Sequence, residues 1–469
     1  MKILYLVHQF YPDAYQGTEK FVLQLAQHCQ AAGHEVKVIT YSTRARNGAA
    51  ATTVAARPLS SSGQAARQRT TFPAFRRFKA RVASVFSHVG ISAPSFHRLR
   101  AFGDRLPNRI FRADYEYQGV PVISFCHRQH PAYLRQQLQD PSLTRFAQEL
   151  IQREQPDLIH VGHPMQGAEF LYAAQAQQIP YLLTLTDFWL ICWRCNLLNE
   201  QGQLCHGPRL GNECRMRCTK VFPPAHVEQR RQLAQHLLTQ AGAVVAPSHF
   251  LASKIRAEYA TIPIRLIPYG MDTQSALPNG RRYPSAKPLT FLFAGGLFKS
   301  KGIDLLIAAF RRLTSAHIRL QIYGAGTLLT AIQQAVQADD RIRYGGVYQI
   351  HELNQILTQV DVVIVPSTWY ENMPLIMQEA QASGVPTLVA DVGGMTECVT
   401  DEVNGFTFRM GDVADLQRKM QMIIDQPAIL NGIKENIRNP QPGGYRVTSL
   451  AEEAKLYLEQ YERIVRKSP

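Results

Sequence analysis

Three residues pose the chemical question: Glu371, Glu379 and Lys301. The two glutamates fall in PSTWYENMPLIMQE, Pro366 to Glu379, on either side of Pro374. The apolar run before them, Val362 to Val365, reads as a buried strand of a parallel sheet. Pro374 suits the first helical position, where its missing N–H removes nothing. Glu371 is therefore expected in a loop and Glu379 on the first turns of the following helix. Free backbone N–H groups at a positive helix end lie between them, an arrangement suited to an anion flanked by two acceptors for hydroxyl groups. Lys301, in AGGLFKSKG (Ala294 to Gly302), follows another apolar strand and precedes another helix. A surface lysine is the plain reading, but here a phosphate would meet both an ammonium and a helix N-terminus. Two further glycine loops, around Gln16-Gly17 and at Tyr323-Gly324-Ala325-Gly326, also follow strands. Singly each reads as a turn, and together they point into one crevice.

The elements that must position these residues alternate strand, loop, helix, strand. The first series predicts strands at Lys2–Val7, Glu35–Thr40, Asp157–Val161, Tyr181–Leu185, Ala243–Ala246 and Ile264–Ile267. Its helices are expected at Thr18–Ala32, with Thr18 as N-cap, from Val161 to about Gln178, and after Ser248 as N-cap. A second series predicts strands at Leu289–Ala294, Ile318–Tyr323, Asp361–Val365 and Thr387–Ala390. Such units imply right-handed crossovers and doubly wound parallel sheets, whose ligands sit at the strands' carboxyl ends. The expected fold is α/β, with two Rossmann-like domains facing a central cleft. The N-terminal, acceptor-side domain is placed at 1–277 and a nucleotide-binding domain at 288–445. A helix within 446–469, about Ser449–Val465, is expected to pack back on the N-terminal domain.

The bulk numbers agree with two cores: 469 residues, 45% apolar, 27 prolines. The start, MKILYLVHQF, reads as a first strand rather than a signal peptide, because His8 interrupts a short apolar run. No run approaches the length of a spanning helix, and a cytoplasmic protein is expected. The formal charge is +15, and fourteen Lys or Arg face a single acid, Asp104, between Tyr41 and Arg112. That stretch, about 41–112, reads as a solvated basic insertion or as an amphipathic element on an anionic membrane surface, at the inner face of the cell membrane. Nucleic acid is not expected, since no binding motif accompanies the charge.

The signature PSTWYENMPLIMQEAQASGVPTLVADVGGMTECV resembles that of the retaining glycosyltransferases of family four (glycosyl transferases group 1), which have the GT-B fold. AGGLFKSKG is similar to that family's lysine-glycine loop, FYPDAYQGTEKFVLQLAQHCQAAGHEVKVIT to its N-terminal loop and helix, and IPYGMD (Ile267 to Asp272) to the entry of its interdomain linker. The resemblance implies a nucleotide sugar, UDP- or GDP-linked, bound mainly by the C-terminal half. Glu379 would accept the ribose hydroxyls, and Glu371 would touch hydroxyls of the transferred sugar. Backbone groups of Asn372, Met373 and Leu375 would approach sugar and diphosphate. Lys301 would pair with the diphosphate, and Gly17 would close on it from the opposite domain. Gly296 belongs to the same donor loop, and Gly324 and Val347 would lie near the base or ribose.

In such a transfer the bond to a diphosphate breaks, so stabilising the departing charge is the main demand, and preorganised dipoles with a cation meet it. No Asp-x-Asp pair occurs, so Lys301 and the helix end are expected to act without a catalytic metal. Retention would follow from front-side attack, the leaving phosphate taking the acceptor's proton. A glycosidase reading is weaker, since retaining hydrolysis needs two carboxyls about 5 Å apart across the bond. Two departures stand out. The family's glycine pair is Gln16-Gly17 here, and Gly296 replaces its usual arginine, leaving Lys299 or an arginine elsewhere to substitute. Where a histidine often ends the strand, this chain has Thr186, followed by Asp187. Asp187 or His163 is then expected to orient the acceptor hydroxyl or the sugar, unless Asp187 caps a turn and His163 is merely packed.

CWRCNLLNEQGQLCHGPRLGNECRMRC holds Cys192, Cys195, Cys205, Cys214 and Cys218. In a reducing compartment such a gathering suggests a structural tetrahedral zinc on Cys192, Cys205, Cys214 and Cys218, with Cys195 or His206 as substitutes. Plain reduced cysteines or an iron–sulfur cluster are the other readings. The cluster would brace a loop over the acceptor side. Cys29, Cys126 and Cys398 read as buried thiols. The activity expected is hexosyl transfer to a glycan or lipid-linked glycan, of the surface-polysaccharide or lipopolysaccharide type. A nucleotide-sugar epimerase of the same fold and a zinc-knuckle nucleic-acid-binding protein are the alternatives.

Overall fold

The computed structural model describes residues 1–14, 16–47, 110–129, 137–218, 224–348 and 350–467. Most of the basic stretch, and with it the expected membrane-binding element, lies outside the described residues. Its two ends, 41–47 and 110–112, belong to strands and a short turn of the first sheet rather than to an insertion.

The first sheet has eight strands: β1 (Lys2–Val7), β2 (Glu35–Tyr41), β3 (Ile110–Tyr117), β4 (Val120–His127), β5 (Leu158–Val161), β6 (Tyr181–Thr184), β7 (Ala243–Ala246) and β8 (Ile264–Leu266). Their order is β3-β4-β2-β1-β5-β6-β7-β8, parallel except for the antiparallel β3–β4 pair. A two-strand ribbon pairs β9 (Gly270–Met271) with β16 (Thr448–Ser449). The second sheet contains β10 (Leu289–Ala294), β11 (Ile318–Tyr323), β12 (Ile342–Gly346), β13 (Val362–Val365), β14 (Thr387–Ala390) and β15 (Gly405–Phe408). Its order, β12-β11-β10-β13-β14-β15, is that of a dinucleotide-binding sheet and is parallel throughout. β10, β13 and β14 are buried along their whole length, as strands covered by helices on both faces must be.

In both sheets the strand order reverses beside a central strand. The crevice opens there, between the loops after β1 and β5 and between those after β10 and β13. The loop after β1 leads into the helix Gly17–Ala31, and that after β10 into the helix Ile303–Arg311. The loop after β13 leads into the helix Leu375–Ala382. Two expected caps shift: Gln16, not Thr18, precedes the first helix, where its N–H donates to Glu19 Oε2 at 2.7 Å. Pro374 is the N-cap rather than the first helical residue. Ser248 does cap its helix, its Oγ accepting the Leu251 N–H at 3.2 Å.

The helix Leu450–Val465, started by a Ser449/Glu452 capping box, returns to the first sheet and packs on the helix Gly17–Ala31. A buried polar chain fastens it. His160 Nδ1 bonds to the Tyr461 hydroxyl, and His160 Nε2 to Thr184 Oγ1 at 2.8 Å. Thr184 Oγ1 lies 3.0 Å from the Tyr457 hydroxyl, and the Tyr5 hydroxyl donates to Cys29 Sγ at 3.2 Å. Burial holds His160 down at about 3, so it is a neutral structural bridge. Glu453 on the same helix is also buried. Burial, only partly offset by the Gly270 N–H, pushes its carboxyl up to about 8. A raised carboxyl favours the folded state while protonated. Its stabilising share is therefore complete below the unfolded value of about 4.3 and falls away as pH climbs to about 8. Glu453→Gln should accordingly raise the thermal midpoint at pH 8.5 and leave it nearly unchanged at pH 5. An equal shift at both pH values would show that the carboxyl does not titrate on unfolding.

Candidate active site

The loops after β10 and β13 are neighbours at the reversal of the second sheet, and they carry Lys301 and Glu371. Glu371 is 7% exposed. Its Oε1 accepts from Lys301 Nζ at 2.6 Å, from Ser367 Oγ at 2.7 Å and from Trp369 Nε1 at 2.7 Å. Burial alone would raise the carboxyl, but the Lys301 charge and these hydrogen bonds outweigh it and hold the group below its ordinary value. The ammonium also lies 5.1 Å from the centre of the Trp369 ring. Gly302 makes the close approach possible: its φ is +69°, and a Cβ there would stand 1.8 Å from the Pro366 carbonyl. The Thr368 N–H, donating to the Ser300 carbonyl at 2.9 Å, ties the two loops together.

Glu379 lies on the helix Leu375–Ala382 and forms an ion pair with Lys20, which projects from the helix Gly17–Ala31 of the other half. Both side chains are mostly shielded from solvent. Gly17 faces Leu375, whose Cδ1 would lie 3.6 Å from a Cβ at that position. The first loop of the first sheet thus closes on the start of the helix that bears Glu379. Asn372 spans the same gap: its Oδ1 accepts from Ser248 Oγ at 2.6 Å, and its Nδ2 donates to the Thr186 carbonyl at 3.3 Å. Met373 is buried beside it. Gly324, at φ +132°, would drive a Cβ to within 1.9 Å of the Gly295 carbonyl, so its role is close packing of the β10 and β11 loops. Gly296 lies on that β10 loop, Lys299 is exposed, and Val347 is 47% exposed after β12.

On the first sheet, the loops after β5 and β6 bring His163 and Asp187 together. The Met165 N–H donates to His163 Nδ1 at 3.1 Å, which fixes the ring proton on Nε2. Nε2 then donates to Asp187 Oδ2 at 3.0 Å. Asp187 Oδ1 accepts the Trp189 N–H at 2.7 Å, so this aspartate both caps a turn and orients the histidine. The His8 ring stands 4.2 Å from that of His163, adding a residue from the β1 loop.

The cysteine-bearing segment follows directly. Cys192, Cys205, Cys214 and Cys218 line one void, whereas Cys195 bonds to Asp187 and His206 Nδ1 bonds to the Tyr370 hydroxyl at 3.1 Å. Among the described residues, no three His, Cys, Asp or Glu side chains converge as a metal set in their present positions. Cys29, Cys126 and Cys398 are buried and form no disulfide.

Comparison with known proteins gives this geometry a family. Residues 97–275 match Glycosyltransferase Family 4, and residues 288–426 match Glycosyl transferases group 1. The chain belongs to the family four, group 1 glycosyltransferases. It is 30% identical over 177 residues to a glycogen synthase of Mycobacterium tuberculosis, covering 35% of this chain and 41% of that protein. It is 30% identical over 110 residues to an Escherichia coli UDP-Gal:alpha-D-GlcNAc-diphosphoundecaprenol alpha-1,3-galactosyltransferase, covering 23% of this chain and 28% of the relative. The chain thus spans less than half the length of either. Anabaena HepE, solved in complex with UDP and glucose, superposes with a TM-score of 0.61 at 16% identity over 99% of this chain and 100% of the other. The fold is GT-B, two Rossmann-like domains with parallel sheets.

Several residues at this site escape a reading by motif. Lys20 stands three positions after Gly17, yet nothing in its sequence neighbourhood marks it as the partner of a carboxylate 359 positions away. Ser367 and Trp369 stand four and two positions before Glu371, so their donation to its carboxylate is a local contact that no motif marks. Tyr370 and His206 meet only because the cysteine-bearing loop folds onto the Glu371 loop.

Proposed function

We propose that this chain transfers a hexose from a UDP- or GDP-linked donor to a glycan or lipid-linked glycan, with retention at the transferred carbon. The observation that carries the reading is the Lys301–Glu371 pair at a helix start, with Glu379 in the same crevice. As the bond from the anomeric carbon to the diphosphate breaks, Lys301 Nζ and the N–H groups at the start of the helix Leu375–Ala382 stabilise the departing negative charge. Glu371, ionised and holding Lys301, fixes the ammonium and bonds to hydroxyls of the sugar. The leaving phosphate takes the acceptor's proton on the same face. Asp187, oriented by the His163 Nε2–H, lies at the other domain's strand ends and positions the acceptor hydroxyl. UDP in the solved complex of HepE and the diphosphoundecaprenol acceptor named for the Escherichia coli relative support the donor and acceptor classes. A lipid-linked acceptor would bring the chain to the inner face of the cell membrane. Among the described residues no helix is long and apolar enough to cross it.

If Glu379 receives the ribose hydroxyls, the Lys20 ion pair must open first. Calorimetry with UDP and GDP tests both points. The wild-type chain should bind one of them, and Lys20→Met should tighten that binding about fivefold, the size of a partly shielded ion pair of roughly 1 kcal/mol. Absence of binding to either nucleotide would overturn the proposal. Binding unaffected by Lys20→Met would remove Glu379 from the ribose site.

A further inference from the structure

We infer that Cys192, Cys205, Cys214 and Cys218 form a structural Zn²⁺ site that anchors the loop after β6 against the Glu371 loop. Each of the four is a free thiol, and together they line a void with room for about one water-sized sphere. Local structure brings them there in two pairs. Leu198 and Leu204 form an antiparallel bridge, and Asn199 Oδ1 accepts the N–H groups of Gln201 and Gln203 at 3.0 and 2.9 Å. That tight turn returns the chain so that the Cys205 N–H donates to the Leu197 carbonyl at 2.7 Å, setting Cys205 beside Cys192. Cys214 and Cys218 are four positions apart at the helix Asn212–Arg217, with the Cys218 N–H on the Cys214 carbonyl at 3.0 Å. They therefore share one face.

The structure also separates these four from the two substitutes. Cys195 turns to Asp187, and His206 to Tyr370. A tetrathiolate zinc carries net negative charge, and the buried guanidinium of Arg230, which lines a neighbouring void with Cys214, is placed to offset it. As they stand, the sulfurs surround the void without converging as a metal set. Binding requires them to close on the cation to about 2.3 Å each and to release their thiol protons to solvent. Nothing is oxidised or reduced in that step.

The site's reach follows from its neighbours. His206 adjoins Cys205 and bonds to Tyr370, the residue before Glu371. Lys254 Nζ donates to the His206 carbonyl at 3.1 Å and lies 4.9 Å from the Tyr370 ring centre. Zinc would thus hold a strut between the two halves, independent of what the crevice binds.

Elemental analysis of the untagged full chain after gel filtration tests the inference. One equivalent of zinc is expected, and a zinc-binding dye should report its release when a chelator or a thiol reagent is added. Cys205→Ser and Cys214→Ser should each lower bound zinc at least tenfold, while Cys195→Ser and His206→Gln should retain it. Should the serine variants fail to fold, the wild-type chain still decides. Chelation should then open the 192–218 loop to limited proteolysis, and added Zn²⁺ should restore its protection. Metal-free protein with reactive thiols, iron with visible absorbance, or zinc that survives in Cys214→Ser would each overturn the assignment.

Discussion

Glu371→Gln should lower transfer activity on the order of a thousandfold while leaving the circular dichroism spectrum unchanged. The substitution keeps the shape of the side chain, and its amide oxygen can still accept from Ser367 Oγ and Trp369 Nε1. It removes the negative charge that fixes Lys301 Nζ at 2.6 Å. The ammonium then loses its anchor and settles over the Trp369 ring, so two groups leave their working positions at once. A single preorganised charge or donor is worth about a hundredfold to a thousandfold in such sites, and the paired loss places this variant at the upper end. Initial-rate measurements with donor and acceptor at saturation would check it. A rate within tenfold of the parent would mean that neither the sugar nor Lys301 depends on this carboxylate. Because the carboxyl is held below its ordinary value, the parent rate should not fall on this group's account until the pH drops below the ordinary carboxylate range.

Lys301→Ala should cost about a hundredfold, expressed mainly in kcat, since the ammonium meets charge that grows as the diphosphate departs. It also leaves Glu371 7% exposed without its cation, and a shielded lone carboxylate neutralises by taking up a proton. Activity of the alanine variant should therefore fall as the pH is lowered over a range where the parent's does not, a signature separate from the loss of rate. Lys301→Arg should recover part of the rate by restoring charge, though a planar fork cannot place one donor as an ammonium does. The double variant with Glu371→Gln should be far from additive, because each residue acts through the other. An unchanged kcat for Lys301→Ala would remove this lysine from the reaction.

Much of the fold is written in local pattern, because a strand buried on both faces can only be an apolar run. Val362–Val365, Leu289–Ala294 and Thr387–Ala390 are such runs. The edge strand β3 of the antiparallel hairpin is not. Its sequence IFRADYEY alternates weakly and sits on the edge, where burial imposes little pattern. β12 and β15 are likewise short edge strands, β12 only partly covered and β15 buried but just four residues long. In the site, Lys301 and Glu371 were legible because each follows a strand, and the reversal of strand order then makes them neighbours. Lys20 was not, since the pairing that gives it meaning is made by the closeness of two sheets. The same holds for Thr18: its hydroxyl suits a cap, yet Gln16 with Glu19 closes the turn two residues earlier.

The terminal helix carries a last implication. Tyr461 and Tyr457 reach through it to His160, Thr184 and Tyr5, in the middle of the first sheet. Those strands are made before the helix that covers them, about 270 residues separating the last of them from it. Until it docks, an imidazole and two hydroxyls at the heart of that sheet must remain wet. The early half can therefore reach its finished state only after the later half has been made.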